Sequence, residues 1–426
     1  MKLEGRRPAV LLTEGSSLSA RQTLYALGGR YRIDVCDARP FRCLARYSRY
    51  VRACYRCPPF AADPLGYLNF LTDRVRTGHY DVLFPVHDQV YLLSRFRDLF
   101  AGRVGLPVPE FSALERVQSK AAFVRLLDEL GLPHPPTVHV CSREELVRAC
   151  AYPCYVKLPY STAGCGVWLV HNAEELEPLA RTLEAAESFR DDGVLVQQPA
   201  PGTLCVVQTV FQRGRLLAGH AYQARALGVG GSARARVSIH HPQVLDHVRT
   251  LGGSLRWHGA LMLDYLYDSE RGQSAYIDAN PRIGETFNAT RSGVNLCAVL
   301  IQVALEGAEP ARPCGRSGIR THSVLTSLLA AAQGGATRCN LLAELGRTWM
   351  GQGLYAGSQD ELTRPREDPL SLIPAAFLTL QLLVRPWAAG QIVAQAVNAY
   401  ALSEATVRAI HQLPTEAVRR LTAVQR

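Results

Sequence analysis

Short apolar runs open the chain. Ala9–Thr13, Arg32–Asp37 and Asp81–Val86 read as strands, separated by helical spacing at Ala20, Leu24 and Leu27 and again at Leu68, Leu71 and Val75. Strands alternating with helices predict a small parallel α/β domain over residues 1–112. Ser119–Leu130 is an amphipathic helix: Ser119 stands at its N-cap, and Ala122, Phe123, Leu126, Leu127 and Leu130 form the stripe. Period-two alternation then takes over. Tyr155 and Lys157 share one face of a strand, Val167–Val170 returns after a loop of small residues, and Gly193–Pro199 gives a third strand. Gln208–Arg213 and Leu216–Arg225 flank a turn at Arg213-Gly214. Asn288–Leu305 is expected as one helix rich in small residues. Beyond a Pro/Gly/Arg linker at Pro310–Gly318 the pattern is mostly helical, with apolar stripes in Val324–Ala332 and Leu370–Ala401 and a polar, loop-like stretch between them at Gly351–Pro369. The longest apolar run, Leu370–Val384, contains Ser371, Pro374, Thr379 and Gln381 and reads as a buried helix, not a membrane span.

The densest chemistry lies in Tyr276-Ile277-Asp278-Ala279-Asn280-Pro281-Arg282. In a strand Asp278 and Asn280 point the same way, and a carboxylate beside an amide oxygen makes a hard oxygen site suited to Mg²⁺. Pro281 ends the strand, and Arg282 follows where an anion would lie. The preceding strand, Ala260–Tyr267, is joined to it by the polar loop Asp268–Ser274. Folding that hairpin about Arg271 sets Asp264 directly opposite Asp278, and two carboxylates so close repel unless a cation lies between them. The loop Pro159-Tyr160-Ser161-Thr162-Ala163-Gly164-Cys165-Gly166 has small side chains, and its backbone N–H groups can approach phosphates closely. Ligands of open parallel sheets sit at the carboxyl ends of strands, which makes Glu14, Ser16, His87 and Asp88 candidates on the substrate side.

The run YIDANPRIGETFNATRSGVNL resembles the closing motif of the ATP-grasp superfamily, and the resemblance covers about Glu115 to Pro310. It implies an N-terminal Rossmann-like domain over 1–112, an ATP-grasp domain of two α+β subdomains over 113–312 with its lid at about 133–197, and a mostly helical region over 313–426. The fold class expected is therefore α/β and α+β, multidomain. The family activates a carboxylate as an acylphosphate with ATP and joins it to an amine. By that resemblance Lys120 and Lys157 contact the ATP phosphates, and Ser161, Gly164 and Gly166 belong to the phosphate-covering loop. Gln197 and Gln198 stand where the family holds adenine and ribose, in place of its usual acid. Asp264, Asp278 and Asn280 hold Mg²⁺ or Mn²⁺. Arg282 and Arg225 serve the acylphosphate, the latter because an Arg followed by Gly-Gly-Ser recurs in amino-acid-ligating members. The alternative is a non-catalytic or regulatory ATP-binding protein on the same fold.

Composition adjusts this picture in three ways. The chain has 47 basic and 37 acidic residues, a net charge of +10, and only three of the basic residues are lysines: Lys2, Lys120 and Lys157. Where arginine is used so freely, a retained lysine points to a need for a compact ammonium. The arginines are spread along the chain without a nucleic-acid motif, so the charge is assigned to anionic small molecules and no nucleic-acid partner is expected. Twelve scattered cysteines and a polar start at Met1–Arg7 lead to an expectation of a reducing cytoplasm and of no membrane partner; a homodimer is compatible with the sequence. Cys54-x-x-Cys57 stands without a second pair and is read as structural thiols, and His240-His241 as adjacent side chains that diverge.

Overall fold

The computed structural model describes residues 6–161, 164–190, 192–307, 315–397 and 401–413. Thr162 and Ala163 of the small-residue loop, part of the Pro310–Gly318 linker and residues 398–400 lie outside the described residues. The first sheet is parallel, in the order β3-β2-β1-β4, from β1 (Ala9–Leu12), β2 (Arg32–Asp37), β3 (Val51–Arg56) and β4 (Val82–Phe84). Pro85 limits β4 to three residues, shorter than its apolar run suggested. The second sheet is antiparallel, β5-β8-β6-β7, from β5 (Thr137–Val140), β6 (Cys154–Lys157), β7 (Val167–Val170) and β8 (Val194–Gln197). It has a hydrophobic cluster of its own, built on Val140, Leu146, Cys154, Val156, Leu176 and Val194.

The third sheet has seven strands in the order β13-β12-β9-β10-β11-β14-β15. These are β9 (Thr203–Gln212), β10 (Arg215–Leu227), β11 (Ala233–Ile239), β12 (Gly259–Asp268), β13 (Gln273–Asn280), β14 (Arg320–His322) and β15 (Ser358–Asp360). One face packs on the helices Lys120–Glu129 and Pro242–Ser254 through Phe123, Leu126, Val248, Trp257, Tyr265 and Tyr276. At its other end the sheet shares a core with the first domain: Val10, Leu12 and Leu24 lie in one cluster with Val210, Leu217, Leu296 and Leu300.

Three expectations are corrected. Asn288–Leu305 is two helices, Phe287–Ser292 and Leu296–Ala304, because Gly293 takes a left-handed φ of 106° and Asn295 caps a new start by accepting from the Ala298 N–H. The polar stretch Gly351–Pro369 is not a loop alone. It supplies β15, and its Glu361 and Asp368 are fully buried. Glu361 accepts from Arg236 on β11, from Gln22 Nε2 (2.9 Å) and from the Thr321 hydroxyl (2.6 Å), while Asp368 receives Arg21 at 3.2 Å and the Ser48 hydroxyl at 2.6 Å. Thirdly, Leu370–Val384 does form a helix, Leu372–Val384, but Leu382 is its only fully buried residue, so it is not a core helix. Its apolar side chains run around the whole circumference, whereas only one side meets the protein.

The Glu361 carboxylate is thus the joint between the C-terminal segment, the large sheet and the first domain. Glu361→Ala leaves Arg236 buried with one fewer partner, and breaking a buried pair from one side costs about 3 kcal/mol or more. We expect the guanidinium unfolding midpoint to fall accordingly; a loss below about 1 kcal/mol would show that this segment does not support the fold.

Candidate active site

The hairpin of β12 and β13 sets the geometry. Its register pairs Met262 with Asn280, Leu263 with Ala279 and Asp264 with Asp278, as the loop position predicts. One step further the ladder shifts, and Tyr265 faces Tyr276. The shift makes Ile277 an extra residue, a bulge. Tyr276 and Ala279, three apart, consequently enter the same core, and Asp278 is turned to the opposite side. Asp264 faces that side too, its carboxyl enclosed by protein although part of the residue remains accessible. Burial, then the facing Asp278, pushes its pKa up to about 7, against the pull of Arg282, Lys120 and Lys157.

Cations reach this pair from separate segments. Lys120 opens its helix, whose N-cap Ser119 accepts from the Ala122 N–H at 3.4 Å. Its ammonium lies 3.1 Å from Asp278 Oδ1 and donates to the Ser161 carbonyl at 3.4 Å, and its backbone N–H is held by the Pro159 carbonyl at 2.9 Å. Lys157, at the end of β6, donates to Gln197 Oε1 at 2.6 Å and to the Ile277 carbonyl at 3.4 Å. Burial lowers its pKa to about 8; Asp278 and Asp264 oppose the shift and Lys120 adds to it. Arg282, just beyond β13, pairs with Asp88 of the first domain, whose other oxygen accepts from the Leu402 N–H at 3.2 Å. Beside it His87 is buried, and burial followed by Arg282 lowers its pKa to about 3, so the ring is neutral. Glu14, two residues beyond β1, takes a left-handed conformation, and its carboxyl is raised well above the usual range by burial and then by Asp37.

The remaining expected residues fall as follows. Ser161, Gly164 and Gly166 lie on the loop between β6 and β7. Gly164, at φ 75°, comes so close to the Gly228–Gly231 turn that a Cβ would stand 2.7 Å from the Gly230 carbonyl. Gln197 is buried, and its amide is engaged at both ends, by Lys157 and by the Thr137 hydroxyl at 2.9 Å; Gln198 gives its backbone N–H to the Pro136 carbonyl. Arg225 is exposed at a bulge of β10 between Ala224 and Ala226. His241 stacks on Tyr267 with ring centroids 3.6 Å apart. The thiols of Cys54 and Cys57 turn to different partners, Cys43 and Cys36.

A second polar group was not foreseen from the sequence. Arg236 is buried against Tyr222, 5.1 Å from the ring centroid, and pairs with both Glu285 and Glu361. Gln208 Nε2 donates to the carbonyls of Ile283 (3.1 Å) and Glu285 (3.0 Å). Gly284 takes φ 66° where a Cβ would lie 2.7 Å from Met262 Sδ. The segment after Arg282 is therefore pinned from three sides. The available signal was Glu285 itself, an acid three residues beyond Arg282; Arg234 and Arg236 alternate with alanines and read as a solvated strand face.

The donor set tests for a cation. Two facing carboxylates and an amide oxygen are hard donors, the oxygen set that suits a small divalent cation. Among the described residues no three His, Cys, Asp or Glu side chains converge, so a metal here draws its remaining ligands from a bound molecule or water.

No family model matches the chain. By sequence it is similar to the arginine-specific large chain of carbamoyl phosphate synthase from Geobacillus stearothermophilus, 22% identical over 206 residues, or 46% of this chain and 19% of that protein. The chain spans 19% and 22% of the length of two such curated relatives. By structure it is similar to the biotin carboxylase domain of 2-oxoglutarate carboxylase from Hydrogenobacter thermophilus in complex with MgADP and bicarbonate, with TM-score 0.57 and 15% identity over 73% of each chain. It is also similar to L-amino acid ligase from Bacillus licheniformis, with TM-score 0.51 and 17% identity over 71% of this chain and 74% of that one.

Lys157 makes the arrangement measurable. Its folded pKa near 8 lies below the ordinary 10.5, so between those values the unfolded chain binds a proton that the folded chain lacks. Stability therefore rises with pH through that window, by about 3 kcal/mol for a shift of this size. The difference in urea-unfolding free energy between wild type and Lys157→Met should climb across it; a constant difference would mean that Lys157 is solvated.

Proposed function

We propose that this chain, which belongs by fold to the ATP-grasp superfamily, activates a carboxylate with ATP and joins it to an amine, releasing ADP and phosphate. The observation that carries this reading is the convergence of Lys120 and Lys157, from two separate elements, on the strand that bears Asp278 opposite Asp264. In an arginine-rich chain these are two of three lysines. Compact ammonium groups suit the oxygens of a triphosphate.

In this reading Lys120 and Lys157 bind the phosphates, under the loop of Ser161, Gly164 and Gly166. Gln197 fixes the Lys157 ammonium, which leaves Gln198 as the side-chain amide at the nucleotide end. Asp264, Asp278 and Asn280 would hold Mg²⁺, or Mn²⁺ in its place, and that ion would supply charge neutralisation at the transferred phosphoryl group. A substrate carboxylate oxygen attacks the γ-phosphorus as ADP leaves. The amine nitrogen then attacks the acyl carbon, and phosphate departs. Arg282 stabilises the acylphosphate anion, with Arg225, near the turn that meets the lid loop, as the second arginine. Glu14, His87 and Asp88, near the carboxyl ends of β1 and β4, are assigned to the substrate side, where the His87 ring stays neutral. The substrates proposed are a small carboxylate or amino acid and an amine.

The test is ADP release from Mg·ATP across a panel of amino acids and carboxylates, with hydroxylamine trapping the acylphosphate as a hydroxamate. We expect substrate-stimulated ADP with one class of acid, and Arg282→Ala to lower kcat/KM by about 10²–10³. Tight ATP binding with no stimulated ADP from any acid would favour the regulatory alternative. For the metal, Asp264→Asn and Asp278→Asn should each abolish the rise in Tm that Mg·ATP gives the wild type.

A further inference from the structure

The helix Leu372–Val384 exposes Ile373, Phe377, Leu380 and Val384, with Phe377 at 66% and Leu380 at 63% of full accessibility. Their spacing of four, three and four residues lines one side of an α-helix. Trp387, just past the helix end, is 73% exposed. Leu342, Trp349 and Met350 are exposed on the neighbouring helix Arg338–Trp349. Soluble surfaces rarely gather apolar side chains on this scale without a partner.

The charges around the stripe identify the partner's chemistry. From Pro369 to Ser403 the sequence holds no acidic residue and one basic residue, Arg385, which is exposed. Arg338 reaches the same end of the helix, donating to the carbonyl of Leu383 at 2.6 Å and of Val384 at 3.4 Å. Arginine and tryptophan beside an apolar stripe match a bilayer interface: acyl chains take the stripe, lipid phosphates take the guanidinium groups, and the indole sits at headgroup level. A second copy of the chain would bring its own arginine to a segment that has no carboxylate to receive it. The helix has 13 residues, about 20 Å at 1.5 Å each, against a hydrocarbon core of about 30 Å. Pro369–Val384 and Pro386–Gln395 meet at a bend of 118°, and no single helix among the described residues is long and apolar enough to cross a membrane.

We propose that the outward face of Leu372–Val384, with Trp387 and Arg385, is a docking surface for an anionic lipid bilayer, on which the helix lies in the plane of the interface. This inference is independent of the proposed ligase reaction. Flotation of the full chain with phosphatidylcholine vesicles, with and without about 30% phosphatidylglycerol, tests it. Wild type should float on the anionic vesicles at least about tenfold more than on the neutral ones, and should be released by added salt. Phe377→Asp with Leu380→Asp should abolish flotation while the Tm holds, because both side chains are exposed; Arg385→Glu should weaken it. The proposal is overturned if wild type fails to float on anionic vesicles, or if the double variant floats as wild type does. A wild-type dimer in sedimentation velocity that the double variant dissociates, with no flotation, would assign the face to a second copy and equally overturn it.

Discussion

Two carboxylates held face to face, Asp264 on one strand and Asp278 on the next, set the electrostatic problem that the rest of the site answers. Backbone pairing fixes their spacing, so they cannot move apart to relieve repulsion. Compensation has to arrive from elsewhere. The first turn of one helix brings Lys120, the lid brings Lys157, and the residue past the strand end brings Arg282. None of these cations is spent on the aspartates alone: each also holds a neighbour, whether the Ser161 carbonyl, the Gln197 amide or Asp88. The cleft is consequently a set of shared charges.

The scaffold behind the cleft depends on a second charge cluster. Arg236 between Glu285 and Glu361 ties the segment after Arg282 to a strand of the large sheet and to the C-terminal segment. Gln22 extends the same network to the first domain by donating to Glu361 and accepting from the Phe287 N–H at 2.7 Å. Asp368 repeats the arrangement with Arg21 and Ser48. A region that looked peripheral thus supplies the acids that complete the core. Among the described residues the sheet β5-β8-β6-β7 shares none of these bonds, and it has a hydrophobic cluster of its own.

What could be read from the chain alone follows the range of each interaction. The Asp264–Asp278 register was legible because a hairpin is local, and its loop centre fixes which residues face each other. The bulge at Ile277 was not, since it depends on Tyr276 entering a core that draws Phe123 and Leu126 from a helix far earlier in the chain. Ser119 as an N-cap and the strand that carries Lys157 were legible from side-chain chemistry and alternation. The pairing of Arg282 with Asp88, 194 residues apart, leaves no periodic trace in a sequence. Nor does the commitment of Gln197 to Lys157, which changes that amide from a candidate nucleotide contact into a support. The apolar run after Leu370 shows the limit most clearly: its composition specifies a helix, but not how much of its circumference the protein covers.

Arg282 joins the large sheet to the first domain through Asp88, and Asp88 also holds the backbone of Leu402. An anion that engages this guanidinium therefore enters a competition with an internal carboxylate already in place. Occupancy and inter-domain tethering draw on the same five N–H donors. Filling the site weakens the tether, and a firmer tether makes the site harder to fill.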